Sequence, residues 1–238
     1  MSDTGTYSKV NNQRIQRWLL DADTVAGTTV AGASVAGVDG SYNTITRSDG
    51  LFVDSSGTLY VSDSGQAQVT KWLRNEVTGT LAAGNGTSGS SLAQLNDPRG
   101  IWVDGEGNLF VVDCGNHRVV KWSMNATSGE LVAGGQGQGP FAVQLNYPTA
   151  ITVDGYGNLY ILDAGNQRIQ QFVPGSLVGI TIFDISVYHP SSTNWWQSRM
   201  ASGSMVMDYG GNLYVVDSSQ LKLLKISRIS EPSCTGKF

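Results

Sequence analysis

One phrase occurs four times in this chain: an apolar strand, an Asp, a tight turn, a second apolar strand and a second Asp. The copies are GLFVDSSGTLYVSD at 50–63, GIWVDGEGNLFVVD at 100–113, AITVDGYGNLYILD at 150–163 and SMVMDYGGNLYVVD at 204–217. Recurrence at a period of about fifty residues confines the chain to repeat architectures, in which each unit buries its faces against its neighbours. Such a scaffold dictates shape and leaves the ligand open.

Each unit resolves into four strands. The first ends at an Asp whose turn carries Gly57, Gly107, Gly157 or Gly211. Glycine supplies a left-handed backbone there, and Asn108, Asn158 and Asn212, which follow it, also tolerate turn geometry. A tight hairpin is predicted. The second strand, LYVSD, LFVVD, LYILD or LYVVD, is continuously apolar, which requires cover on both faces.

The third strand reads QVTKW, RVVKW, RIQQF and KLLKI. Val69, Val119, Ile169 and Leu223 fall on one face, while Trp72, Trp122, Phe172 and Ile226, three residues later, fall on the other. GTLAAG at 79–84, GELVAG at 129–134 and GTTVAG at 27–32 supply fourth strands. Four short antiparallel strands with two buried faces are what stacked propeller blades require, whereas the coils of a β-helix are much shorter than this period.

Composition agrees with one all-β domain over residues 1–238. Charged residues make up 14% of the chain and there are 30 glycines, a balance that suits short strands and many turns. The net charge of -4, without a Lys/Arg run, argues against affinity based on nucleic-acid phosphates. No apolar run is long enough to span a membrane, and MSDTGTYSKVNNQRIQ lacks the apolar core of a signal peptide. The compartment stays open. Cys114 and Cys234 are too few for a disulfide framework or a cysteine zinc site, and their redox state is not readable. Two glycosylation-type triplets begin at Asn85 and Asn125, at a frequency that chance supplies.

The strings GNLYVVD, DCGNHRVVKW and DAGNQRIQQF, with QLNDPRG and QLNYPTA upstream of two units, resemble NHL repeats. That resemblance implies four-stranded blades, in a ring that is usually six-bladed and usually serves as a recognition platform, although some related propellers are enzymes. Blades are expected at about 3–32 (partial), 50–84, 99–134, 149–185 and 204–238, an incomplete or open ring of about four and a half. Self-association through the open ends is an expected consequence.

The sequence departs from the repeat pattern in three places. Gln68 and Lys222 replace the Arg present at Arg118 and Arg168. The chain enters its first blade midway, near Arg14. The interval between Asp163 and Asp217 is lengthened and lacks a QLNxP segment.

Asp63, Asp113, Asp163 and Asp217 recur once per unit, so they cannot converge on one metal or one substrate. They are expected to cap their own turns and, at Asp113 and Asp163, to pair with Arg118 and Arg168. The DGEGN and DGYGN turns supply one Asp each, too few for calcium. Asp54, Asp104, Asp154 and Asp208 lie nearer the axis and lend one channel mouth negative character. His117 and His189 are the only histidines, short of a three-His zinc site, and no Gly-x-Ser-x-Gly elbow is present. No cofactor, metal or catalysis is expected.

The least repetitive stretch, 174–203, contains Tyr188, His189, Trp195, Trp196 and Arg199. Aromatic and Arg side chains on a loop held by a rigid scaffold are common binding anchors, so these five are the candidate binding residues for a protein or peptide. In the bland alternative, Ile180, Ile182, Phe183 and Ile185 rebuild an outer strand and the tryptophans fill a gap. The loops at Asn96 to Arg99 and Asn146 to Thr149 are the next candidates. Two rival functions remain: a propeller enzyme with a metal at the channel mouth, and the substrate-recognition part of a TRIM-type ubiquitin ligase.

Overall fold

A computed structural model describes residues 14–17, 28–32, 44–76, 78–188, 204–217 and 222–227. Among the described residues, seventeen strands form five antiparallel sheets in chain order. The first sheet is β1 (Ile15–Arg17) with β2 (Thr28–Ala31). The second is β3 (Ser48–Val53), β4 (Leu59–Asp63), β5 (Gln68–Trp72) and β6 (Thr80–Gly84). The third is β7 (Pro98–Val103), β8 (Leu109–Asp113), β9 (Arg118–Trp122) and β10 (Glu130–Gly134). The fourth is β11 (Ala150–Val153), β12 (Leu159–Asp163), β13 (Arg168–Phe172) and β14 (Ile180–Asp184). The fifth is β15 (Met205–Met207), β16 (Leu213–Asp217) and β17 (Lys222–Ile226).

Each sheet is a meander, and the first strands β3, β7, β11 and β15 lie next to one another in succession. They form the inner wall of a propeller arc. Gly50 permits that approach, because a Cβ there would stand 2.2 Å from the Arg99 carbonyl oxygen. Gly100 does the same one blade on, 2.8 Å from the Ala150 Cα.

The core is four inter-sheet layers rather than one interior. Trp72, Trp122 and Phe172 each pack towards the preceding sheet, while Val69, Val119 and Ile169 pack towards the following one. One strand therefore feeds two layers, and this is why its sequence shows an apolar anchor on both faces. Ile45, Leu95 and Leu145, from the segments that lead into each inner strand, are buried in three of these layers.

The ends of the arc show the converse. Leu51 and Val53 share a face of β3 and are 52% and 56% exposed; among the described residues the first sheet has two strands, which pack on the outer part of its neighbour. Leu223, the counterpart of Val69, is 64% exposed beside exposed Val206 and Val216. Among the described residues no core layer joins the fifth sheet to the first. The six-bladed ring usual for the resembled family is therefore not what these residues form. They form an arc of three complete and two partial blades, because the first sheet has only the equivalents of a third and fourth strand and the fifth only those of a first, second and third.

Candidate functional site

The hairpins at 54–58, 104–108, 154–158 and 208–212 sit at one end of the strands. At the other end lie the turns at 64–67, 114–117 and 164–167, together with the loops at 85–97 and 135–149. This second end, the loop face, has the more elaborate construction.

Its fixed points are two arginine forks. Arg118 Nε donates to Asp113 Oδ2 at 2.7 Å, while its terminal nitrogens donate to the carbonyls of Ser90 at 2.7 Å, Ser91 at 2.9 Å and Gln94 at 3.1 Å. Arg168 repeats this with Asp163 at 2.7 Å and the carbonyls of Pro140, Phe141 and Gln144. A planar guanidinium with five donors can bridge one carboxylate and three carbonyls, which an ammonium cannot do with the same geometry. The fork is thus a loop clamp as well as an ion pair.

Asp113 and Asp163 are fully buried. They do not cap their own turns through backbone amides, as the sequence reading expects. Instead each reaches across to the loop before its blade: Asp113 accepts from the Asn96 amide and Asp163 from the Asn146 amide, both at 2.7 Å. The side chains of Asn116 and Asn166 supply a further bond each. Burial pushes both carboxyls above the usual range, against the opposing pull of these donors.

Asp63 solves the same problem without an arginine. It accepts from the amides of Thr46, Arg47, Gly65 and Gln66 and from the side chains of Thr46 and Gln66. Here the expected turn cap does form, since Gln68 leaves lone pairs free to receive it. Asp217 stands opposite Lys222 in the β16–β17 register.

The clamped loops carry unusual backbone. Asp97 and Tyr147, at matching positions of QLNDP and QLNYP, have φ of +54° and +44°. Non-glycine residues reach this region at a cost, and such strain clusters at functional positions. Asp97 pairs with Arg99 at 3.0 Å and with Arg47 at 3.7 Å, and Arg47 also meets Asp49 at 3.2 Å. Tyr147 stacks edge-on against His117, centroids 4.6 Å apart, and its amide donates to His117 Nδ1 at 3.1 Å. Burial lowers the His117 pKa, so the neutral ring that accepts this bond prevails at pH 7. Phe141, whose carbonyl Arg168 holds, is 70% exposed.

Cys114 lies under this face with its thiol fully buried, and burial pushes its pKa up to about 12. A thiol held protonated is a poor nucleophile. At the hairpin end, Asp54, Asp104, Asp154 and Asp208 each clamp their own turn, accepting amides two and four residues on at 2.8 to 3.0 Å. Among the described residues no group of three His, Cys, Asp or Glu side chains is arranged to hold a metal ion.

Of the five candidate binding residues, Tyr188 ends a short helical turn after β14, and His189, Trp195, Trp196 and Arg199 lie outside the described residues. Ile180, Ile182 and Phe183 belong to β14, and Ile185 is buried after it. The structure instead brings Asp97 together with Arg47 and Arg99, and separately Tyr147 with His117, while Phe141 stands exposed in the loop that Arg168 clamps. Sequence reasoning reached the loops holding Asp97, Arg99 and Tyr147 only as secondary candidates and passed over Arg47 and Phe141, which lie outside the repeated phrase.

Residues 95–122 and 145–172 match the family model for the NHL repeat. No curated protein matches the chain. Among solved structures, a chain of a nidogen/laminin complex is similar at 19% identity with a TM-score of 0.58; the match covers 84% of this chain and 63% of that one. A streptogramin B lyase aligns at 14% identity over 76% of this chain and 54% of its own, with a TM-score of 0.42. This chain thus spans less than two thirds of either solved chain. Both segments that match the repeat model run from the clamped loop through the arginine fork to the third-strand aromatic, so the chain carries the NHL repeat at these two positions, within a β-propeller fold.

Proposed function

We propose that the chain is a non-catalytic recognition scaffold that binds a protein or peptide on its loop face. The observation that carries this reading is the pair of arginine forks. Each holds a surface loop by three backbone carbonyls and so fixes in advance the exposed side chains beside it. A preorganised loop loses little entropy on binding, and exposed aromatics such as Phe141 and Tyr147 are common anchors. The nidogen/laminin neighbour belongs to a complex of two proteins, which favours the same class of partner here.

The titratable groups beneath this face are committed to structure. Asp113 and Asp163 are buried under arginines, the Cys114 thiol is buried, and His117 Nδ1 is occupied by Tyr147. This supports binding without catalysis. The test is to compare proteins captured by the wild type with those captured by Phe141→Ala/Tyr147→Ala. Loss of a specific partner with an unchanged melting curve is expected; undiminished capture by the folded variant would remove the loop face from the site.

A further inference from the structure

A groove of about 480 Å³ opens at the hairpin end of the strands, between the third and fourth sheets. Trp102, Phe110 and Val153 form its apolar walls, and Asp104, Glu106 and Asp154 stand at its rim. Phe52 fixes the Trp102 indole by an edge contact, with centroids 5.0 Å apart. The hairpin clamps fix Asp104 and Asp154: Asn108 and Asn158 each donate to their carboxylates from both backbone and side chain. The ion pairs within the described residues involve none of the three acids.

We infer that this groove takes the guanidinium of an arginine side chain presented by a peptide. Charge complementarity selects a cation, and the aromatic walls select a flat one. A guanidinium stacks on an indole face such as that of half-buried Trp102 while its edge donates to carboxylates, and it is more weakly hydrated than an ammonium. The chain uses the same chemistry internally, with Lys121 Nζ 5.6 Å from the centroid of the Phe110 ring. That single ammonium leaves the rim carboxylates in excess. The groove lies at the opposite end of the strands from the loop face, and its occupant does not depend on what that face binds.

The probe is the blocked tripeptide acetyl-Gly-Arg-Gly-amide, with the citrulline tripeptide as its uncharged isostere. Binding is followed by NMR at the Trp102 indole N–H, whose signal is identified by its loss in Trp102→Phe. The arginine peptide should give a saturable shift, the citrulline peptide should bind at least about fivefold more weakly, and Glu106→Gln should weaken arginine binding about threefold. Glu106 is exposed, so this variant keeps the fold, which its unchanged amide spectrum verifies. Raising NaCl tenfold should weaken the arginine peptide more than the citrulline one. The inference is overturned by no saturable shift, by equal affinity for the two peptides, or by an unchanged affinity in Glu106→Gln.

Discussion

Arg118→Ala removes four hydrogen bonds at once and tests what the repeat motif is for. Three of them end on carbonyls of Ser90, Ser91 and Gln94; Ser90 and Ser91 are exposed, so water can replace the guanidinium there at little cost. The fourth ends on Asp113, whose side chain is fully buried and which keeps only its bonds from Asn96 and Asn116. Removing one partner of a buried ion pair costs about 3 to 5 kcal/mol, mostly the penalty of the charge left behind. The Arg118 side chain is itself slightly exposed, which admits some water and places the expected loss near the lower figure, about 3 kcal/mol. The natural comparison is Gln68→Ala, because Asp63 is already satisfied without help from that position; about 1 kcal/mol is expected there.

Stacked blades need not unfold together, so native-state hydrogen exchange is the appropriate assay. Arg118→Ala should accelerate exchange at the Asn96 and Gly115 amides far more than across the β11–β12 pair. Adding Asp113→Asn should recover part of the loss by removing the stranded charge. Equal losses for Arg118→Ala and Gln68→Ala, or no recovery in the double variant, would refute the reasoning.

The pH dependence should have two opposing parts. In Asp154 burial acts upward but the bonds from Asn158, Tyr156 and Tyr160 win, and in Asp208 the bonds from Asn212 lead; both carboxyls sit below the usual range. A lowered folded pKa gives stability that is present above the unfolded value of about 3.9 and is lost as pH falls through the folded one. Asp113 and Asp163, raised by burial, act the other way and lose stability as pH rises from about 3.9 through their folded pKa. Carboxyl NMR titration should separate the two sets on either side of that value; coincident midpoints would contradict the assignment. Gly50→Ala should destabilise the β3–β7 contact by about 1 to 3 kcal/mol, measured by denaturant unfolding, since the new methyl meets a backbone oxygen that cannot swing away. Cys114 should resist a thiol reagent in the native protein and react only on unfolding; prompt labelling would mean that the loop face opens readily.

The blades were legible because their signals are local. A repeated Asp and Gly set the hairpins, and an apolar anchor on each face of the third strand predicted both neighbours, as Trp122 and Val119 show. The Asp113–Arg118 pair was legible because cross-strand partners lie five residues apart. The other half of the fork was not. Arg118 reaches back 24 to 28 residues to carbonyl oxygens, which every residue possesses and no sequence pattern marks. The left-handed backbone of Asp97 and Tyr147 was equally hidden, because neither residue type advertises it as glycine would. The aromatic insertion drew attention by composition alone, while Phe141 and Tyr147 gain significance only from the arginine clamp beneath them.

The central claim is that the loop face is where this propeller meets a protein. A photo-crosslinking amino acid placed at Phe141 on that face, and in a second protein at Met124, exposed in the turn between β9 and β10 at the hairpin end, tests it directly. The account predicts a discrete crosslinked species from position 141, competed by excess unlabelled wild-type protein, that does not form from position 124. Crosslinking of the same species from both positions, or from position 124 alone, would contradict it.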